Sequence, residues 1–269
     1  MTERSIPDFD LDQIARSGQC FRFRPLGERH YALVAGGRYL EVSQQGQTVR
    51  FDCPEDEFEA VWRPYFDLDA DYGRYKSAVA KRDKYLQSAV AAAGGLRILQ
   101  QELWETIVCF IISQQNNIAR ITKCVENLCL LFGETCYNKS KQVYNAFPSA
   151  ERLAACTAEG LAPIRLGYRA KYILAAARQV ASCEVNLDAV RRMDYAHAKA
   201  ELMRLTGVGV KVAECICLFA LHHIDAFPID THIRQMLDAH YPKGFPLRRY
   251  KGFAGVMQQY AFYYELVKN

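Results

Sequence analysis

The feature that most constrains the fold of this chain is a change of hydrophobic periodicity at Gly94-Gly95. Upstream of it, short β-rich runs alternate with turn residues, at positions 21–23, 31–35, 38–43 and 48–51. Runs of this length separated by glycine, proline and polar turns favour an antiparallel meander. Pro54 then begins a helical stretch that we expect to reach Phe66, because proline suits the first turn of a helix.

Downstream of residue 95, apolar residues recur at helical spacing. The predicted helices cover 99–112, 118–132, 149–155, 170–181, 194–205, 210–221, 230–239 and roughly 247–266, and no segment there alternates like a strand. The predicted fold class is therefore α+β. It combines a small N-terminal antiparallel β-sheet domain with flanking helices, residues 1–85, and a larger all-α domain, residues 86–269.

Composition excludes several classes of protein. Half of the residues are apolar and 24% are charged, which is typical of a globular protein and not of a disordered one. The longest uninterrupted apolar runs are about six or seven residues, so we predict no membrane partner. Residues 1–12 lack the apolar core of a secretory signal, and we expect an intracellular, monomeric protein. Its compartment would be the cytoplasm or nucleoid in a bacterium and the nucleus in a eukaryote.

Charge and cysteine usage narrow the chemistry further. The formal net charge is +4, with basic residues concentrated after Arg165 and an acidic stretch at 52–71. That distribution fits a polyanionic partner, although solvated helix faces would produce it as well. The ten cysteines include no C-x-x-C pair, so we predict neither a zinc site nor an iron–sulfur site, and no cofactor.

Residues 205–221 form the most informative segment. Gly207 and Gly209 are expected to turn the chain sharply with positive φ between two helices, giving a helix-hairpin-helix at about 194–221. The second helix would present unpaired amides at its start, and these suit one backbone phosphate. A plain helical hairpin without a ligand explains the two glycines equally well.

Lys211 stands in the first turn of that second helix, where the helix dipole disfavours a cation. Because its neighbours are apolar, we expect its ammonium to lose a proton more readily than a surface lysine and to become a nucleophile. Cys215 lies four residues on, on the same helix face. Asp230 is a natural N-cap, and near Lys211 it could stabilise positive charge developing on a sugar. A solvent-exposed lysine and a simple helix cap are the alternatives.

These motifs, with those at 18–22, 113–120, 166–170 and 254–262, resemble the helix-hairpin-helix–Gly/Pro–Asp superfamily of DNA glycosylases, and in particular the 8-oxoguanine DNA glycosylases. The resemblance implies a bifunctional DNA glycosylase/AP lyase that acts in base excision repair. It would excise 8-oxoguanine, preferentially opposite cytosine, from double-stranded DNA, without a cofactor or a catalytic metal. A related glycosylase with another lesion specificity and a non-catalytic helix-hairpin-helix DNA-binding protein are the two alternatives.

The resemblance also implies roles for matching residues. Lys211 would attack the sugar and form a Schiff base, and Asp230 would assist departure of the base. The base pocket would comprise the Gly18 carbonyl, the Gln258 side chain at the pairing edge, and a sandwich of Cys215 and Phe262.

The remaining implied residues would contact DNA. Tyr168 would insert into the duplex, and Arg120 and Arg169 would contact the base left without its partner. His232 would bind a phosphate, and the loop with Gln115 and Asn116 would fill the space that the extruded base leaves. Family members carry asparagine at the position of Gln115. Backbone carbonyls of Met203, Leu205 and Val208 would hold a structural ion beneath Gly207 and Gly209.

Overall fold

The N-terminal domain is built around a five-stranded antiparallel sheet with the strand order β1-β5-β4-β3-β2. A computed structural model describes residues 1–268, and the five strands are β1 (Thr2–Ser5), β2 (Phe23–Gly27), β3 (His30–Ala35), β4 (Arg38–Gln45) and β5 (Thr48–Phe51). Leu40, Val42 and Gln44 of β4 are buried while their neighbours are not, as expected for a sheet with one covered face. The predicted meander is confirmed. β1 was not predicted, because its sequence, TERS, is mostly polar and only its pairing with β5 makes it a strand.

Short helical segments cover the inner face of this sheet. They are α1 (Leu11–Arg16), α2 (Glu55–Glu57), a π-helical turn (Phe58–Trp62) and α3 (Arg63–Tyr65). The apolar side chains of α1, of the π-helical turn and of residues 65–66 form one core with those of the sheet, in which Leu11, Phe51, Trp62 and Phe66 are completely buried. The acidic helix α2 has no buried residue. This core fixes the segment that follows α1, residues 17–22, against the second domain.

The second domain is helical. Its helices are α4 (Tyr72–Ser77), α5 (Lys84–Ala92), α6 (Leu103–Ile112), α7 (Ile118–Phe132), α8 (Ala150–Ala154), α9 (Ala158–Leu161), α10 (Arg169–Ala181), α11 (Leu187–Val190), α12 (Tyr195–Leu202), α13 (Val210–Phe219), α14 (Thr231–His240) and α15 (Ala254–Lys268). α6 is buried along its whole length and forms the centre of the larger core. The fold class predicted from the sequence is confirmed. No helix among residues 1–268 is both long enough and apolar enough to cross a bilayer.

Several details of the sequence prediction are wrong. β2 covers Phe23–Gly27 and not 21–23, because the residues predicted as a turn pair with β3. The helix predicted from residue 99 begins at Leu103. A small hairpin, β6 (Thr135–Tyr137) and β7 (Val143–Asn145), lies in the region where we predicted no strand, because three-residue strands are too short to show alternation. The last helix begins at Ala254 and not near 247, since residues before it form turns that reverse the chain after α14.

The two domains meet along the segment that joins them. Tyr72, Leu86 and Ala89 pack in the helical core, so α4 and α5 belong with the second domain by their contacts. The division at residue 85 stays a prediction and falls inside α5. The Arg97 guanidinium is buried and donates to the carbonyl oxygens of Pro7, Asp8 and Asp67, which holds the start of the chain against the helices.

Candidate active site

A cavity of about 350 Å³ opens where α6, α13, α15 and the start of α14 meet the N-terminal segment 17–22. Eight residues singled out from the sequence line it, namely Gly18, Asn116, Lys211, Cys215, Asp230, His232, Gln258 and Phe262. The volume lies in the range of small-molecule pockets. Residues that are up to 244 positions apart in the sequence therefore share one concave site.

Lys211 reaches this cavity from the first turn of α13. Its Nζ lies 5.3 Å from the centroid of the Phe110 ring, which in turn stacks on Phe219 at 5.5 Å. Among residues 1–268, no carboxylate lies within ion-pair distance of Lys211, and its amine contacts the Phe110 ring and the Cys215 thiol. An amine held this way is accessible to a ligand that enters the cavity.

Asp230 enters the site as the N-cap of α14. Its Oδ1 accepts a hydrogen bond from the Ile233 amide at 2.8 Å, while the other carboxylate oxygen accepts none from the residues described. The preceding loop is tied to α15, because Gln258 Nε2 donates to the Pro228 carbonyl at 3.0 Å. One oxygen of Asp230 is thus fixed by the cap and the second can act on a ligand.

The Cys215 thiol lies close to both groups. Burial raises the pKa of this thiol to about 11, the Lys211 ammonium partly opposes that rise, and the Asp230 carboxylate adds to it. Cys215 therefore stays a neutral thiol near pH 7 and offers a small apolar surface.

Gly18 faces Phe262 across the cavity. Its φ is +72°, and a Cβ there would lie 3.2 Å from Phe262 Cε1 and 3.5 Å from Ile118 Cδ1. Neighbouring Gln19 is buried and locked by bonds to the Arg97 carbonyl and the Leu99 amide. The segment carrying the Gly18 carbonyl is rigid, and a side chain at position 18 would fill the space beside Phe262.

The hairpin between α12 and α13 shows the predicted sharp turn at one glycine only. Gly207 has a φ of +89°, and a Cβ there would lie 2.5 Å from Tyr172 Cβ, so this position requires glycine. The prediction of positive φ is wrong for Gly209, whose φ of −92° any residue can adopt. No heavy atom lies within 4 Å of a Cβ built on Gly209. The first amides of α13 are therefore open to an anion.

The carbonyls of Met203, Leu205 and Val208 belong to this hairpin. The Leu205 carbonyl accepts a hydrogen bond from the Val208 amide at 3.0 Å and keeps a second lone pair. Backbone oxygens of this kind suit a hard cation, so these residues fit the implied structural ion.

The loop that precedes α7 carries Gln115, and the Arg169 side chain holds this loop through hydrogen bonds to its backbone carbonyls. Gln115 is exposed with a φ of +47°, and Arg169 Nη2 donates to its carbonyl at 2.9 Å. The Arg169 side chain also binds the carbonyls of Gln114 and Leu166, and the residue is only 5% exposed. Four of its five N–H groups are in use, and one Nη1 proton has no partner among the residues described.

Arg120 and Tyr168 lie beside this loop on the surface. Arg120 Nη2 donates to the Arg165 carbonyl at 3.3 Å and is otherwise exposed. Tyr168 is 43% exposed, and its ring stands over the Arg169 guanidinium at 4.6 Å. Gln114 Nε2 donates to the Gly207 carbonyl at 2.9 Å, which joins this cluster to the hairpin.

Two buried residues near the site were missed from the sequence. Glu214, next to Cys215, accepts hydrogen bonds from Tyr195 and Lys199 and from the Phe227 amide at 2.9 Å. Gln259 lines the cavity beside Gln258. A pair of glutamines within an otherwise apolar and aromatic helix was the available signal for Gln259, whereas nothing in the sequence pointed to the partners of Glu214.

The sequence matches two protein-family models and several proteins of known activity. Residues 2–107 match the N-terminal domain of 8-oxoguanine DNA glycosylase, and residues 108–243 match the HhH-GPD superfamily of base excision DNA repair proteins. A Saccharomyces cerevisiae N-glycosylase/DNA lyase is 37% identical over 257 residues, which cover 86% of this chain and 68% of the yeast protein.

Solved structures are similar over nearly the whole chain. MBOgg1 in complex with a low-affinity DNA ligand superposes with a TM-score of 0.93 at 37% identity, covering 100% of this chain and 96% of that one. The Clostridium acetobutylicum 8-oxoguanine glycosylase/lyase, bound to double-stranded DNA with cytosine opposite 8-oxoguanine, gives 0.90 at 33% identity. That match covers 97% of this chain and 93% of the clostridial one.

Proposed function

Since the chain belongs to the 8-oxoguanine DNA glycosylases of the HhH-GPD superfamily, we propose that it releases 8-oxoguanine from double-stranded DNA and then cleaves the strand. The observation that carries this proposal is the meeting of Lys211 and Asp230, from two different helices, in one cavity bounded by Gly18 and Phe262. A base must leave the duplex to enter such a cavity, and its extrusion costs a few kcal/mol that stacking and edge contacts repay.

The reaction follows from the two polar groups. The Lys211 amine attacks the anomeric carbon C1′, the bond from C1′ to the base breaks, and the base departs with the electron pair and takes up a proton. Asp230 stabilises the positive charge that develops on the sugar. The amine loses its proton, the sugar ring opens, and a Schiff base joins Lys211 to C1′. Loss of a proton from C2′ then expels the 3′-phosphate and nicks the strand.

Base recognition is proposed to depend on one changed hydrogen-bonding group. Oxidation converts the purine N7 from an acceptor into an N–H donor, which the Gly18 carbonyl can accept. Guanine would place an acceptor against that carbonyl, at a cost of about 1–3 kcal/mol, or roughly 5- to 150-fold. Cys215 and Phe262 would hold the two faces of the ring, and Gln258 its pairing edge.

The test of the proposed nucleophile is borohydride trapping on duplexes that each carry one defined lesion. Lys211→Gln should abolish both base release and trapping while leaving DNA affinity nearly intact, because phosphate contacts are made elsewhere. Lys84→Gln, at an exposed position of α5, is the matched control and should behave as the wild type. Efficient excision by Lys211→Gln would remove the proposed mechanism. Trapping on other lesions but not on 8-oxoguanine would favour a related glycosylase with another lesion specificity. DNA binding without trapping on any lesion would favour a non-catalytic DNA-binding protein.

Cytosine is the proposed partner base, with Arg120 as its principal reader. Cytosine offers acceptors at O2 and N3, and a guanidinium offers only donors. We expect excision opposite cytosine to exceed that opposite adenine by at least about tenfold, since one good contact is worth about 1–3 kcal/mol. Single-turnover rates against all four partner bases, for wild type and Arg120→Ala, measure this preference. An equal slowing of all four pairings by Arg120→Ala would make Arg120 a phosphate ligand instead.

The remaining DNA contacts are proposed for the cluster around Gln115. Tyr168 would wedge into the duplex, while the open amides of α13 and the ring of His232 would hold phosphates next to the extruded nucleotide. We expect a monomer of 30.7 kDa, which light scattering after size-exclusion chromatography can measure with and without DNA.

A further inference from the structure

Two consecutive glutamines of α15 border the cavity, and neither has its hydrogen bonds completed by the protein. Gln258 and Gln259 are each 3% exposed. Gln258 uses its Nε2 on the Pro228 carbonyl, but its Oε1 is buried without a partner. The Gln259 Oε1 is likewise buried and unpaired, and its Nε2 donates to no group among residues 1–268.

Buried glutamines elsewhere in the chain are fully bonded. Gln19 donates to Ser17 Oγ and the Arg97 carbonyl and accepts from the Leu99 amide. Gln44 donates twice to backbone carbonyls and accepts from the Leu11 amide. Because an unpaired buried amide destabilises a fold, two of them side by side at one cavity leave polar groups that a ligand in the cavity can bond.

The position of Gln259 on the helix supports this interpretation. It lies four residues after Gly255 and three before Phe262, so the three residues share a helix face. A Cβ on Gly255 would lie 2.6 Å from Leu218 Cδ1, which places this face against α13. The Gln259 side chain therefore belongs to the side of α15 that looks toward Lys211 and Cys215.

Building on the proposed function, we propose that Gln259 is a specificity-determining residue whose amide pairs with an exocyclic group of the extruded purine. The pairing edge of guanine bases carries an N1–H donor between the O6 acceptor and the 2-amino donor. Gln258 uses one N–H of its Nε2 on the Pro228 carbonyl, and its unpaired Oε1 serves as the acceptor for N1–H. Gln259 provides both a donor and an acceptor, and it pairs with O6 or with the 2-amino group beside that contact.

A substrate and variant cycle tests this pairing. Gln259→Leu should slow single-turnover release of 8-oxoguanine roughly 5- to 150-fold. Two analogues remove the candidate groups in turn. 8-Oxohypoxanthine lacks the 2-amino group, and 8-oxo-2-aminopurine lacks O6 together with the N1–H that pairs with Gln258. Because loss of N1–H affects wild type and Gln259→Leu alike, the ratio of their rates on each base still reports the contact of Gln259. On the analogue that lacks the group to which Gln259 binds, wild type and Gln259→Leu should release the base at the same rate, because the hydrogen bond between Gln259 and the base is already absent. A constant ratio of the two enzymes on all three bases would overturn the proposal.

Thermal unfolding without DNA separates this role from a structural one. Because the Gln259 amide has no protein partner, Gln259→Leu should raise the Tm while it lowers activity, whereas a fall in Tm would overturn the proposal. Gln235→Leu, at an exposed position of α14, is the control and should leave both Tm and rate unchanged. If the wild type itself fails to release 8-oxoguanine, the proposed function is wrong. If it releases the base but the cycle shows no coupling, only the role of Gln259 is wrong.

Discussion

At the scale of single residues, the shape of the cavity depends on the missing side chain of Gly18. Gly18→Ala should place a Cβ 3.2 Å from Phe262 Cε1 and strain a backbone with a φ of +72°. The strain costs about 1–2 kcal/mol of folding stability, and the lost space should slow base release by at least about tenfold, which corresponds to about 1.4 kcal/mol. Gly36→Ala is the matched control, because Gly36 has a φ of +55° but nothing within 4 Å of a Cβ. Equal loss of excision in both variants, measured by single-turnover kinetics and urea unfolding, would attribute the effect to strain alone.

At the scale of elements, one buried carboxylate joins the hairpin to the loop that carries Asp230. Glu214 of α13 binds Tyr195 and Lys199 of α12 and accepts from the Phe227 amide, three residues before Asp230. Glu214→Ala leaves that amide unpaired and Lys199 without its partner, so we expect a loss of about 2–4 kcal/mol in urea unfolding and slower base release. Glu201→Ala, in an exposed pair with Arg204, should cost less than about 0.5 kcal/mol. A Glu214→Ala protein with wild-type stability and rate would contradict this role.

At the scale of the whole molecule, the two domains are joined by an ion pair whose carboxylate titrates unusually. Arg22 of the N-terminal domain lies 3.6 Å from Glu105 of α6, and burial raises the pKa of Glu105 from 4.5 to about 7 although Arg22 opposes the rise. The folded protein therefore binds this proton more tightly than the unfolded chain does. The resulting stability is complete below about pH 4.5 and is lost as the pH rises through 7, by about 3 kcal/mol in all. Urea unfolding at about pH 5 and pH 8 should show a flatter dependence for Glu105→Gln than for wild type or for the exposed control Glu126→Gln. The same change of unfolding free energy with pH in all three proteins would contradict a raised pKa of Glu105.

Local patterns in the sequence determined much of the architecture. α7 covers the residues 118–132 that its apolar spacing predicted, since helix periodicity is a property of neighbouring residues. The same holds for β3, β4 and β5, and for the sharp turn at Gly207, but not for β2, which covers Phe23–Gly27 and not 21–23. The roles of Lys211 and Asp230 could be proposed because each belongs to a short motif with a chemical meaning.

Only the tertiary structure decided which distant groups meet. It places the Arg169 guanidinium against the Gln115 loop, pairs polar β1 with β5, and gives Glu214 of α13 partners on α12 and in the loop before α14. It also leaves the amide of Gln259 unpaired at the cavity while that of Gln19 is fully bonded. Hydrogen-bond satisfaction depends on partners tens of residues away in the chain, and sequence periodicity carries no information about such partners.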